Sequence, residues 1–191
     1  SKKSPLVHLS LTGMTDSGHP LTVVVLAKNK DFTPEKSRKA GKSILFINNG
    51  IHPGEPDGID ASMIFAKDII SSSDAARILD NTTIVIIPVY NIGGCLNRSS
   101  TSRANQLGPE EYGFRANAKN LDLNRDFIKC DSKNAESFNQ IFNYWNPDLM
   151  VDTHTSNGAD YQYTMTLIAT QKDKLHPLLG DFLSQKMLPV L

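Results

Sequence analysis

Cysteine is scarce in this chain: Cys95 and Cys130 are all it has. Two cysteines do not make the disulfide framework of a small secreted scaffold, and neither stands in the C-x-x-C spacing of redox couples and zinc ribbons. They are read as free thiols. Surplus charge is missing as well, since 20 Lys plus Arg balance 20 Asp plus Glu. A neutral chain carries no electrostatic footprint for nucleic acid or anionic lipid. Apolar runs stay under ten residues, too short for a membrane span, and residues 1–5 hold no signal-peptide apolar stretch. Internal repeats and low-complexity tracts are absent too.

What is there, 191 residues of which 39% are hydrophobic and 21% charged, suits one α/β domain able to bury its own core. Residues 43–47, SILFI, are β-branched and aromatic between Gly41 and Gly50, which fits a strand buried on both faces. Helix signals follow: Asp57 as an N-cap, then Ile59, Met63, Ala66 and Ile70 at helical spacing. His52 and Glu55 therefore lie on a strand-to-helix turn, the end of the strand where α/β sheets bind ligands.

Along the rest of the chain, residues 21–28 and 82–90 are strand-like, and Pro88 marks where pairing stops in the second. Residues 31–41 read as a polar, exposed connection, and 75–79 as a short helical segment. A long stretch from Asn91 to Lys133, rich in Asn, Arg, Gly and Ser, has little apolar periodicity, and such stretches inside compact domains are usually functional. Then come a helix over 135–144 with Phe138, Ile141 and Phe142 on one face, and a strand over 148–155 that ends near His154. A further strand over 161–169 and an amphipathic helix over 177–188 complete the pattern. The fold class expected is α/β: a mixed, largely parallel sheet with helices on both faces.

A catalytic zinc takes three protein ligands, imidazole nitrogens and a carboxylate among them, and leaves a position for water. His52 and Glu55, three residues apart, can reach one ion from a single tight turn, and His154 can close the triangle from the end of another strand. A bare His-x-x-Glu arises often by chance. The segment 113–127, GFRANAKNLDLNRDF, adds a cluster of basic residues and asparagines around an Asp-x-Asn-Arg core at Asp122 to Arg125.

On His52-Pro-Gly-Glu55 after a strand, on Arg115 nine residues before Asn124, and on His154 within Asp-Thr-His-Thr, the chain resembles the zinc carboxypeptidases of the M14 family, the carboxypeptidase A-like or funnelin metallopeptidases. Residues 12–21, ending Gly-His-Pro-Leu, are similar to the family's opening Gly-Arg-Pro-Leu hairpin. The resemblance implies one Zn2+ per chain held by His52, Glu55 and His154, with Asp122 accepting a hydrogen bond from the far nitrogen of His52. It implies that Arg115 stabilises the developing oxyanion and that Asn124 and Arg125 hold the substrate's C-terminal carboxylate. Arg103 is a rival for the oxyanion role, set aside because Arg115 has the matching distance to Asn124. Asp152, Tyr161 and Tyr163 are assigned no role and are read as strand-end and strand-face groups.

The implied partner is a peptide, or a small acylated amino acid, with a free C-terminal carboxylate. The implied activity is hydrolysis of a C-terminal peptide bond, the alternatives being an M14-like amidohydrolase on a peptidoglycan peptide or N-acyl amino acid and a non-catalytic zinc- or peptide-binding remnant. The family's general base is a glutamate well beyond the third ligand, and here no glutamate follows Glu136. Gly54 and Pro56 stand where digestive-type members carry arginine and tryptophan. With an apolar end at Leu191, the expectation is a single zinc carboxypeptidase-like catalytic domain over 1–191 whose C-terminal part is missing. A start at Ser1 suits a trimmed, exported protein, so a secreted or periplasmic location is expected.

Overall fold

A computed structural model describes residues 4–106 and 108–191. Ser1 to Lys3 and Leu107 lie outside the described residues, and with them the beginning of the stretch searched for a signal peptide. The chain divides into two compact units, one ending at Gly158 and one running Ala159–Leu191.

The first unit contains β1 (Val7–Thr12), β2 (Leu21–Leu26), α1 (Pro34–Lys39), β3 (Ser43–Asn48), α2 (Asp57–Ser71), β4 (Thr82–Ile87), α3 (Ile92–Leu96), β5 (Arg98–Ser99), β6 (Tyr112–Gly113), α4 (Lys133–Trp145) and β7 (Leu149–Asp152). Five strands form one sheet in the order β1-β2-β4-β3-β7, and β5 pairs with β6 apart from it. The sheet is mixed. β3 runs parallel to both β4 and β7, while β2 is antiparallel to β1 and to β4.

Alternation along the strands distributes the core between two faces. Ile44 and Phe46 of β3 join Val23, Val25, Val85 and Ile87 on one face, where Phe138, Ile141 and Trp145 of α4 pack on them. On the other face Ile84 and Ile86 meet Leu26, Leu79 and Ile69 of α2, with Leu45 and Ile47 of β3 alongside. Burying each such large side chain contributes roughly 1.5–3 kcal/mol, so the helices on both faces clamp the central strands from either side. Ser132 caps α4 by accepting from the amide of Ala135 at 3.0 Å, and Asn146 ends it in the left-handed conformation just before Pro147.

Several expectations need correction. Residues 31–41 are no mere connection, because α1 forms there: Thr33 accepts from the amide of Lys36, Pro34 opens the helix, and Ser37 is buried with its hydroxyl 2.8 Å from that of Thr83. Asp57 is the first helical residue of α2 rather than its cap, a position taken by Pro56 without a side-chain bond. The inward stripe of α2 is Ser62 and Ile69 with Phe65 and Ala66 against the core, whereas Met63 and Ile70 are exposed. The helix is turned so that Ser62 can meet the Nδ2 of Asn49 at 3.1 Å, a polar contact that apolar spacing does not register. β1 has no clean alternation and was not anticipated; its burial follows no two-residue period. The stretch 91–133 also holds α3, the β5–β6 pair and a 3-10 turn over Leu123–Arg125.

The second unit contains no strand. Residues 161–169 make no ladder, and Tyr161, Tyr163, Met165, Leu167 and Ile168 are exposed. β-Propensity expresses itself only against a pairing partner, and no described strand bonds to this stretch. A helix over Pro177–Phe182, α5, continues as a π turn over Leu183–Met187 and a 3-10 turn over Leu188–Val190. Among the described residues no helix is long and apolar enough to cross a membrane.

Candidate metal centre

Two parallel strands end side by side. Asn48 closes β3 and pairs in register with Asp152, which closes β7, so both strands deliver the residues that follow to the same end of the sheet. After β3 the chain turns tightly, with the amide of Glu55 bonded to the carbonyl of His52 at 2.9 Å, and both side chains are buried. After β7, Thr153 returns to β3: its amide reaches the Asn48 carbonyl at 3.1 Å and its hydroxyl the Asn49 Oδ1 at 2.9 Å. His154 follows, partly exposed, with its ring centroid 5.2 Å from that of His52.

The arrangement converges on the Glu55 carboxylate. Its Oε1 is 3.3 Å from His52 Nδ1 and 3.1 Å from Arg103 Nη2, and its Oε2 is 3.1 Å from His154 Nδ1 and 3.0 Å from the amide of Thr155. One ligand atom from each of His52, Glu55 and His154 can be chosen so that all lie within 4.8 Å of one another. The outward nitrogens are taken as well. His52 Nε2 is 3.1 Å from Asp122 Oδ1, and His154 Nε2 is 2.9 Å from Asp152 Oδ2. Each imidazole therefore turns Nδ1 inward and Nε2 to a carboxylate, the arrangement that fixes metal-binding histidines. Two imidazoles and a carboxylate are a donor set suited to a zinc ion.

Electrostatics agree with that use. Burial pushes the Glu55 carboxyl up, but the hydrogen bonds from His154, His52 and the Thr155 amide outweigh it and hold the group well below the usual carboxylate range. Hydrogen bonds to Asp152 and Glu55 raise His154 to about 9. Glu55 is thus ionised beside a protonated His154 imidazole, and a divalent cation held by His52, Glu55 and His154 would compete with that proton. Asp122 is also lowered: burial opposes ionisation, and bonds from His52, the Asn124 amide and Arg115 overcome it.

The two arginines weighed for the oxyanion role occupy different places. Arg115 sets Nε and Nη2 on Asp122 Oδ2 at 3.2 and 3.0 Å, points Nη1 to His52 Nδ1 at 3.4 Å, and keeps 39% of its side chain exposed. Arg103 is buried, split between Glu55 and Asn157 Oδ1, the latter at 3.2 Å. Gly54 makes room for it, since a Cβ there would lie 2.6 Å from Arg103 Cγ and 2.8 Å from the Gly113 carbonyl. The chain thus brings a guanidinium to Glu55 from the 101–106 loop, a contact that position in sequence did not indicate. Asn124 and Arg125 lie on the 3-10 turn after Asp122. The Asn124 amide bonds Asp122 Oδ1 at 3.0 Å, and the exposed Arg125 donates from Nη1 to the Asn124 carbonyl at 2.8 Å. Asp152, a strand-end group with no role expected of it, contacts His154, and the Asp-x-His spacing is the signal in the sequence for that contact.

Comparison with known proteins gives a concordant result. The family model described as zinc carboxypeptidase, peptidase family M14, matches residues 1–171. A search of curated proteins returned no match. Among solved structures, a metallo-carboxypeptidase from Burkholderia cenocepacia aligns with a TM-score of 0.65 at 19% identity, covering 84% of this chain and 39% of that one. A metallo-carboxypeptidase from Pseudomonas aeruginosa aligns at 0.60 with 17% identity, over 83% of this chain and 37% of that one. Carboxypeptidase A from Helicoverpa armigera aligns at 0.57 with 18% identity, over 97% and 50%. The chain therefore spans half or less of the length of these relatives, and the likeness is one of fold.

Proposed function

Because this chain belongs to the zinc carboxypeptidase family, we propose that it holds zinc through His52, Glu55 and His154 and hydrolyses the C-terminal peptide bond of peptides or proteins. The observation that carries the reading is the approach of the two Nδ1 atoms to one buried carboxylate, with an aspartate on each far nitrogen. Zinc bound there supplies Lewis acidity towards a carbonyl oxygen and towards water.

The remaining work falls to the protein's own groups. Arg115, held by Asp122 through two nitrogens, offers a fixed positive charge beside His52, where it can stabilise negative charge growing on the scissile carbonyl oxygen. Asn124 and Arg125 take the substrate's terminal carboxylate, the guanidinium giving directional, charge-assisted bonds. Asp122 ties these parts together, because it bonds His52, Arg115 and the Asn124 amide at once. Recognition of the free carboxylate is what makes the reaction exopeptidic. Glu55, Asp122 and Asp152 are each engaged by an imidazole, so none of them is assigned as the base that activates water.

The test is binding and cleavage of an N-acylated dipeptide by the zinc-loaded chain, as the free acid and as the C-terminal amide. The acid should bind and the amide should not, and Arg125→Ala should weaken the acid alone. Equal binding of acid and amide would remove the carboxylate clamp from the account.

A further inference from the structure

His154 is the exposed member of the triad and sits two residues beyond the end of β7, the last strand in the sheet order among the described residues. Its hold on a fixed orientation therefore needs a source other than burial. The structure supplies one in the strand that precedes it. Asp152 and His154 are separated by two positions, so their side chains leave the chain on the same side. Asp152 Oδ2 lies 2.9 Å from His154 Nε2. Its other oxygen accepts from Nδ2 of Asn48 at 2.8 Å. Asn48 is fully buried, and its own Oδ1 has no hydrogen-bond partner among the described residues. A buried amide with an unsatisfied oxygen costs free energy, and what it provides in this position is a grip on Asp152.

Asn48 and Asp152 are also register partners across the β3–β7 ladder. The series Asn48, Asp152, His154 thus links β3, which is paired on both sides, to the residue beyond the end of β7. We propose that Asp152 is a positioning residue of the metal centre: it accepts Nε2–H of His154, so that Nδ1 is the nitrogen turned to the ion, and Asn48 holds Asp152 for that task. The proposal rests on the zinc reading of the site.

On His52 the same service comes from a separate loop, through Asp122, which Arg115 also grips. Among the described residues the carboxylate of Asp152 has no guanidinium on it; its partners are His154 and Asn48. Its removal therefore affects the third ligand without disturbing the arginine cluster.

Zinc affinity of the full chain, measured by competition with a chromophoric chelator, tests this with wild type, Asp152→Ala, Asp152→Asn, Asn48→Ala and His154→Ala. Loss of such an outer partner typically weakens metal binding by about 10–100-fold, and that is the expectation for Asp152→Ala. Asp152→Asn keeps an acceptor and should recover part of the loss, with Asn48→Ala also weakened. In the zinc-loaded wild type, nuclear magnetic resonance should find the His154 Nε2–H proton protected from exchange, and in zinc-loaded Asp152→Ala unprotected. Should Asp152→Ala fail to fold, Asp152→Asn and Asn48→Ala carry the same comparison. Wild-type affinity in the Asp152 variants, with His154→Ala impaired, would overturn the role of Asp152 alone. Wild-type affinity in His154→Ala would instead overturn the metal reading and this proposal with it.

Discussion

The two histidines of the centre face each other across 5.2 Å, yet they differ in burial. His52 is buried on a tight turn after β3, a strand paired on both sides, and lies beside the Asp122 loop. His154 is a third exposed just beyond the end of β7, tied down by Asp152, by Glu55 and by the return of Thr153 to Asn48 and Asn49. Polar contacts hold both halves, but one half is buried and the other stands partly open. The difference says where the site yields first: the His52 side should persist as long as the sheet does, while the His154 side can loosen by itself.

Glu55 is common to both halves, so its removal erases the contrast. Glu55→Ala leaves the buried Arg103 without its carboxylate, and removing one member of a buried ion pair costs about 3–5 kcal/mol. Urea denaturation of the metal-free protein should record a loss of that size, and zinc binding should vanish with it.

Asp126 sharpens the buried half. Its buried carboxylate accepts from the hydroxyl and amide of Ser132 and from the amide of Asp131, fastening the Asp122 loop to the start of α4. Asp126→Ala should cost about 1.5–3 kcal/mol, as for other hydrogen bonds to charged groups. Burial raises this carboxyl, but the Ser132 and Asp131 bonds prevail and hold it below its ordinary 3.8. A depressed pKa gives stability that is fully present above about 3.8 and is lost as the pH falls through the lower folded value. Acid titration of the unfolding midpoint should therefore be flatter in Asp126→Ala than in wild type.

Gly58 stands at the junction between the halves. A Cβ there would meet Thr153 Oγ1 at 2.1 Å and Thr153 Cβ at 2.4 Å, so Gly58→Ala must push α2 and the residues before His154 apart. Overpacking of this kind costs about 1–3 kcal/mol. Zinc affinity should fall while the fluorescence of Trp145, the buried last residue of α4, stays as in wild type. The smallest effect belongs to Arg38→Ala, which breaks an exposed pair with Asp148 at the start of β7. Such pairs are worth about 0–1 kcal/mol, and zinc affinity should not change.

Legibility in the sequence followed the same division. β3, β4 and α4 were readable because β3 and β4 are apolar runs buried in the sheet and α4 carries its apolar residues at helical spacing on one core-facing side. The candidate ligands could be picked out for the same reason, since His52, Glu55 and His154 follow strands that the pattern reveals. What stayed hidden depends on polar contacts between distant residues. Ser37 on Thr83 made a helix of a polar connection, and Ser62 on Asn49 turned α2 away from its apolar spacing. Arg103 on Glu55 and Asp152 on His154 became visible only in three dimensions. The opposite error came from 161–169, where a stretch with strand composition forms no ladder among the described residues.

The most direct test of the central claim is zinc per chain, by elemental analysis of protein purified without chelator, on wild type and on His154→Ala in parallel. The account predicts close to one zinc in wild type and its loss in the variant, as a site built from both strand ends requires. Wild-type protein free of zinc, or a variant that keeps it, would contradict the assignment of His52, Glu55 and His154 as one metal centre.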